Sequence, residues 1–196
     1  MSDIYVGIDP GSKNLALVFW SPSQGLVSTW KPKPPMPTGV LRLRKLMVDI
    51  TNEFTKLAAD GEVKGIAMEA YSMAERFGQH ASGEIGATIK LTILALFPSD
   101  DRRAFPTLVA PGQLKKFATG NGHTHKNMMS KEILKRWGVD FDDTNIAEAY
   151  ALARVAHAIE ARPEGLTQFQ KDVVASLDGR TEWIPVPQRR LVRVGK

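Results

Sequence analysis

The chain contains no cysteine. That excludes a disulfide framework and a thiolate metal site, so any bound metal would be held by Asp, Glu, Asn or His. Donors of that kind favour a hard, oxygen-loving ion such as magnesium or manganese over structural zinc. No run of about 18 apolar residues occurs, so no transmembrane helix is expected and no membrane partner is implied. The start, "MSDIYVGID", enters a strand directly. It lacks the basic n-region and apolar h-region of a signal peptide, which gives a cytoplasmic expectation. Internal repeats and low-complexity tracts are absent too.

What is present suits one domain with a short appendage: 196 residues, enough for a real core. The net charge is +5 and the pI near 9.5. Its distribution says more than its size. Between Pro111 and Gly138 stand Lys115, Lys116, Lys126, Lys131, Lys135 and Arg136 against Glu132 alone. This stretch carries a charge equal to that of the whole chain. Such a run is either a solvated helical surface or a place for phosphates.

Alternation over Ile4 to Asp9, then apolar runs at Leu15 to Ser21 and Leu26 to Trp30, predict three strands in an antiparallel meander. The turn "SPSQG" joins the last two, and "KPKPPMP" is an extended, exposed connector. Helical spacing of Leu41, Leu46, Ile50, Phe54 and Leu57 predicts a helix over Val40 to Ala59. Strands are expected at Val63 to Glu69 and Ala104 to Val109, and helices at Ala81 to Phe97, Gln113 to Phe117, Lys126 to Trp137 and Asn145 to Ala161. "TGNGHTH" reads as a flexible, Gly-rich loop. "ARPEG" marks a boundary: residues 1–162 form the main domain, and 163–196 an extension with a helix over Thr167 to Leu177 and a basic tail, "PQRRLVRVGK". The order is that of an α/β fold with a mixed sheet.

One charged residue, Asp9, ends the first strand and is followed at once by Pro-Gly. A lone Asp there can simply form a turn. Glu69, however, ends the fourth strand in the same way, each preceded on its face by a small residue, Gly7 and Ala67. That leaves room for a ligand or a helix. If the two strands are adjacent and parallel, both carboxylates lie where open α/β sheets place ligands. In "DDTNIAEAYALARVAHAI", Asp142, Asp143 or Thr144 can cap a helix. Asn145 and Glu148 point the same way on it. Glu148 falls on a stripe with Leu152, Val155 and Ile159, and alanines at 147, 149, 151 and 153 keep the helix slim. Glu148 could instead pair with Arg154 or with a neighbouring helix. A cluster of Asp9, Glu69 and Glu148 would repel itself unless divalent cations answered the charge. Two magnesium ions about 3.5–4 Å apart are a known arrangement for cutting phosphodiesters.

"GIDPGSKNLA", the strand-ending Glu69 in "AMEAYSM", and "AEAYALARVAHA", in that order over Ile4 to Ala161, resemble the RuvC-type Holliday junction resolvases of the RNase H-like superfamily. The resemblance implies an RNase H-like nuclease domain: a five-stranded mixed sheet, a three-strand antiparallel meander plus two parallel strands, flanked by helices. It implies an endonuclease cutting branched DNA, working with two Mg2+ ions per site (Mn2+ able to substitute) and leaving 5′-phosphate and 3′-hydroxyl ends. Asp9, Glu69 and Glu148 take the acidic roles. Where the family carries an acid or histidine three positions earlier, this chain has Asn145, whose amide oxygen can serve, with Asp142 or Asp143 as substitutes. Lys115 and Lys126 match lysines near the scissile phosphate, with Lys116 and Lys131 as further backbone-holding cations. Tyr71 or Phe77 could stack on an opened base, or pack in a core or dimer. The helix over Ala81 to Phe97 resembles the family's dimerisation helix, implying a homodimer. Motif details suggest a phage or phage-derived member in a bacterial cell or infected host. Rival readings are a related nuclease for RNA or RNA–DNA hybrid, a sugar-kinase or actin-like ATPase, and a non-catalytic branched-DNA-binding module.

Overall fold

The computed structural model describes residues 1–11, 14–33, 36–70, 79–98 and 100–177, with the backbone alone for 79–81, 126 and 127. Five strands form one sheet: β1 (Ser2–Asp9), β2 (Ala16–Ser21), β3 (Gly25–Trp30), β4 (Gly61–Glu69) and β5 (Thr107–Val109), in the order β3-β2-β1-β4-β5. The first three are antiparallel neighbours, and β4 joins β1 and β5 in parallel. The mixed sheet expected from the sequence is thus the one found. β5 is shorter than expected. Asp101 accepts from the Arg103 backbone N–H, so Arg102–Ala104 close into a 3-10 turn instead. Pro106, with no N–H to donate, separates that turn from the strand.

Helices cover both faces. On one lie α1 (Gly39–Leu57) and α2 (Gln79–Leu96). Leu46, Ile50, Phe54 and Leu57 of α1 bury against Ile4, Val6, Ile8, Phe19 and Met68, with Ile85, Ile89 and Ile93 of α2 in the same layer. On the other face lie α3 (Pro111–Thr119), α4 (Lys126–Trp137), α5 (Thr144–Ala161) and α6 (Gln168–Leu177). Pro111 opens α3, where its missing N–H costs nothing, and Gly120 ends it at φ 88°. In α6, Val173, Val174 and Leu177 join Leu114 and Phe117 of α3 in the buried layer, so this helix of the C-terminal segment is part of the same core. No helix among the described residues is long and apolar enough to cross a membrane.

α5 is the central helix. Twelve of its 18 residues are buried, including Glu148. It lies directly on β1 because Gly7 has no side chain: a Cβ there would sit 1.8 Å from the Ala149 carbonyl oxygen and 2.4 Å from the Ala153 nitrogen. The space left by Gly7 is filled by a helix.

Candidate active site

Three carboxylates are brought to one end of one face. The β1–β4 register runs through Ile8↔Met68, so Asp9 and Glu69 are next in step on neighbouring parallel strands. Tyr5 and Ala67 bury in the α5 layer, whereas Ile8 and Met68 bury in the opposite one. Strand side chains alternate, so Asp9 and Glu69 project on the α5 side. Glu148 immediately precedes Ala149, whose carbonyl closes over Gly7, two residues before Asp9.

Burial separates these acids from ordinary surface carboxylates. Asp9 and Glu148 each retain 4% exposure, and Glu69 is half-buried. Asp9 Oδ1 accepts from the Gly11 N–H at 3.3 Å, an Asx turn that explains the Asp-Pro-Gly sequence locally. That bond is worth about 1 kcal/mol. Taking a carboxylate out of water costs several kcal/mol before its partners are counted. Turn formation alone does not account for an acid in this place. Arg154 is not the partner of Glu148. It donates to the Tyr150 hydroxyl at 3.3 Å and stacks over Trp20 and Trp137, at 4.3 and 5.0 Å from the ring centres.

At the start of α5, Asp143 is the cap. Its Oδ1 accepts from the backbone N–H groups of Asn145 (2.9 Å) and Ile146 (3.3 Å) and from Asn145 Nδ2 (3.1 Å). Its Oδ2 is bonded to the ammonium of Lys31, just beyond β3. Burial opposes ionisation of Asp143, but Lys31 and the amides of Asn145 and Ile146 outweigh it and hold its carboxyl down to about 2. Lys31 was read from the sequence only as part of an exposed connector. Nothing local marks its bond to a residue 112 positions away.

The basic segment divides by role. Lys116 lies 3.7 Å from Asp172 of α6. Arg136 donates to the Ala118 carbonyl at 3.0 Å and stacks on Phe169, so it ties helices together. Lys115 is half-buried on α3, while Lys131 and Lys135 are exposed on α4. Hydrogen bonds cross the loop between α3 and α4. Thr119 and Thr124 hydroxyls meet at 2.8 Å, Asn121 Oδ1 accepts from the His123 N–H at 3.0 Å, and Gly122 packs over Gly112. Tyr71, Phe77, the Lys126 side chain and the basic tail lie outside the described residues.

The candidate donors, the carboxylates of Asp9 and Glu69 at the strand ends and of Glu148 on α5 with the Asn145 amide oxygen, are all oxygen, the chemistry that suits magnesium or manganese. They are not a closed cage. Among the described residues, no three Asp, Glu or His side chains form a group that could hold a metal ion as they stand. A bound cation would require these side chains to close on it.

Comparison with known proteins bears on the fold. No family model matches the chain, and no curated protein matches it by sequence. Solved structures do. The RuvC structure from Thermus thermophilus aligns over 92% of this chain and 98% of its own, with a TM-score of 0.58 and 16% identity. T. thermophilus RuvC in complex with a Holliday junction substrate aligns over 76% of this chain and 90% of its own, at a TM-score of 0.59 and 17% identity. The chain therefore has the RNase H-like fold of RuvC, as its sequence motifs implied.

Proposed function

We propose that this chain is a metal-dependent, structure-selective endonuclease of the RuvC type that cuts Holliday junctions or other branched DNA. The observation that carries the reading is the placement of Asp9, Glu69 and Glu148. They sit at the carboxyl ends of two adjacent parallel strands and on the helix covering them, in a fold shared with T. thermophilus RuvC, whose structure in complex with a Holliday junction substrate is known. In this reading Asp9, Glu69 and Glu148 hold two Mg2+ ions, with Mn2+ able to substitute, and Asn145 contributes a neutral oxygen. Such ions lower the pKa of the attacking water and stabilise the leaving oxygen.

The remaining work falls to the chain itself. Burial of Asp9 and Glu148 keeps bulk water from the reacting phosphate and strengthens local fields. Lys115 and Lys126 support the negative charge that grows on the phosphate. The exposed Lys131 and Lys135 hold backbone phosphates, which makes binding salt-dependent. The chain works as a homodimer paired through α2, whose Leu91 and Leu94 are 61% and 37% exposed, so that two sites face one four-way junction.

The test is cleavage of a labelled four-way junction, a linear duplex and an RNA–DNA hybrid, with and without magnesium. Metal-dependent cutting of the junction in preference to the duplex is expected. Preference for the hybrid would move the chain to the ribonuclease side of the fold. Tight junction binding with no cutting under Mg2+ or Mn2+ would leave a binding module and overturn the nuclease reading.

A further inference from the structure

The first turn of α5 carries Asn145 and leads directly into Glu148, so its position sets theirs. That turn is held by one carboxylate. Asp143 Oδ1 accepts two backbone N–H groups and the Asn145 side-chain nitrogen, and Oδ2 is taken by Lys31. With both oxygens engaged, the carboxylate cannot rotate without breaking one set of bonds. Two consequences follow. Because a carboxylate only accepts, the Asn145 amide must turn its nitrogen to Asp143 and its carbonyl oxygen to the opposite edge. And Asp143, among the acids near the site, is committed to the helix end.

We propose that Lys31 and Asp143 are positioning residues: the ion pair ties the end of β3 to the start of α5 and fixes Asn145 and Glu148 relative to Asp9 and Glu69. On this view Asp143 is not a metal ligand, and Asn145 is presented to the site as an oxygen donor. The assignment rests on the nuclease reading above for its catalytic consequence, but the clamp itself does not. Lys31 and Asp143 side chains keep 32% and 38% exposure, so the pair adds little to global stability. Its effect is local.

Hydrogen–deuterium exchange over residues 144–148 is compared for wild type, Lys31→Met, Lys31→Arg and Asp143→Ser. Lys33→Met, a neighbouring loss of charge, is the control. Serine keeps a capping oxygen but loses the ion pair. Mn2+ affinity by titration calorimetry and junction cleavage, with kcat and junction Kd separated, are read on the same proteins. The expectation is faster exchange in Lys31→Met and Asp143→Ser, with threefold to tenfold losses in Mn2+ affinity and in kcat and an unchanged junction Kd. Lys31→Arg is expected to behave as wild type, and the double variant to be no worse than either single. Wild-type exchange in Lys31→Met overturns the clamp. Faster exchange with unchanged Mn2+ affinity and kcat overturns the positioning role, and a loss confined to junction Kd reassigns Lys31 to DNA contact and overturns it too. If wild type binds no Mn2+ and cuts nothing, the nuclease reading falls while the exchange result still decides the clamp.

Discussion

At the scale of the residue, Gly7 sets how closely α5 approaches β1. It lets α5 touch β1, and any side chain would meet main-chain atoms that cannot move aside: the Ala149 oxygen at 1.8 Å and the Ala153 nitrogen at 2.4 Å. Gly7→Ala should therefore lift the helix from the sheet and cost about 3 kcal/mol, the upper end of what overpacking usually costs. Urea unfolding measures it; an unchanged midpoint would mean α5 does not lie on Gly7 as described. The sequence already showed that small residues precede Asp9 and Glu69 on their faces. It left open whether a ligand or a helix takes the space, because a gap between side chains looks the same for both. Asp9 was likewise legible as an acid out of place, and it both forms the turn to Gly11 and is buried with Glu148.

At the scale of the element, α5 has two working ends. Its first two turns carry Asn145 and Glu148, and its later turns carry Arg154 and His157 against β2 and β1. His157 stacks edge-on with Tyr5 and Trp20, at 4.8 and 5.0 Å between ring centres. Burial pushes its imidazole below the ordinary value, Arg154 pushes it further, and Asp3 pulls weakly upward; Glu164 lines the same small cavity. Between the lowered value and about 6.5 the unfolded chain takes up a proton that the folded chain refuses. Stability should therefore fall as pH drops from about 7 toward 5, and rise again on return. Thermal unfolding across that range should show this slope flattened in His157→Gln. An equal slope in the variant would place the pH dependence elsewhere.

Element boundaries also show what a sequence carries and what it does not. α4 has the bounds expected of it, Lys126–Trp137, and Gly138 in the left-handed region closes its C-terminal end. The last strand was not. A strand was expected from Ala104, but the Asp101 cap and Pro106 shorten it to Thr107–Val109. Lys31 was illegible for a different reason. A salt bridge over 112 positions leaves no spacing to read, and its neighbours are prolines that announce a connector. Arg154 was read as a possible partner for Glu148 because the two sit on one helix. The aromatic rings that hold it come from β2 and α4, which only the tertiary fold brings near.

At the scale of the whole molecule, the arrangement is a sheet with one apolar layer on each face and the acids at one end of the α5 layer. The likeness to RuvC, at 16–17% identity, shows the fold. The proposed activity rests on the acids themselves. The measurement that tests this most directly uses a supercoiled plasmid bearing an extruded cruciform, treated with wild type or Glu69→Gln in Mg2+. Wild type should give linear plasmid from paired cuts at the junction. Glu69→Gln should bind the junction but give no product, a loss of at least about a hundredfold, as expected when a group that orients a catalytic metal is neutralised. Equal linearisation by Glu69→Gln, or none by wild type in either Mg2+ or Mn2+, would contradict the account.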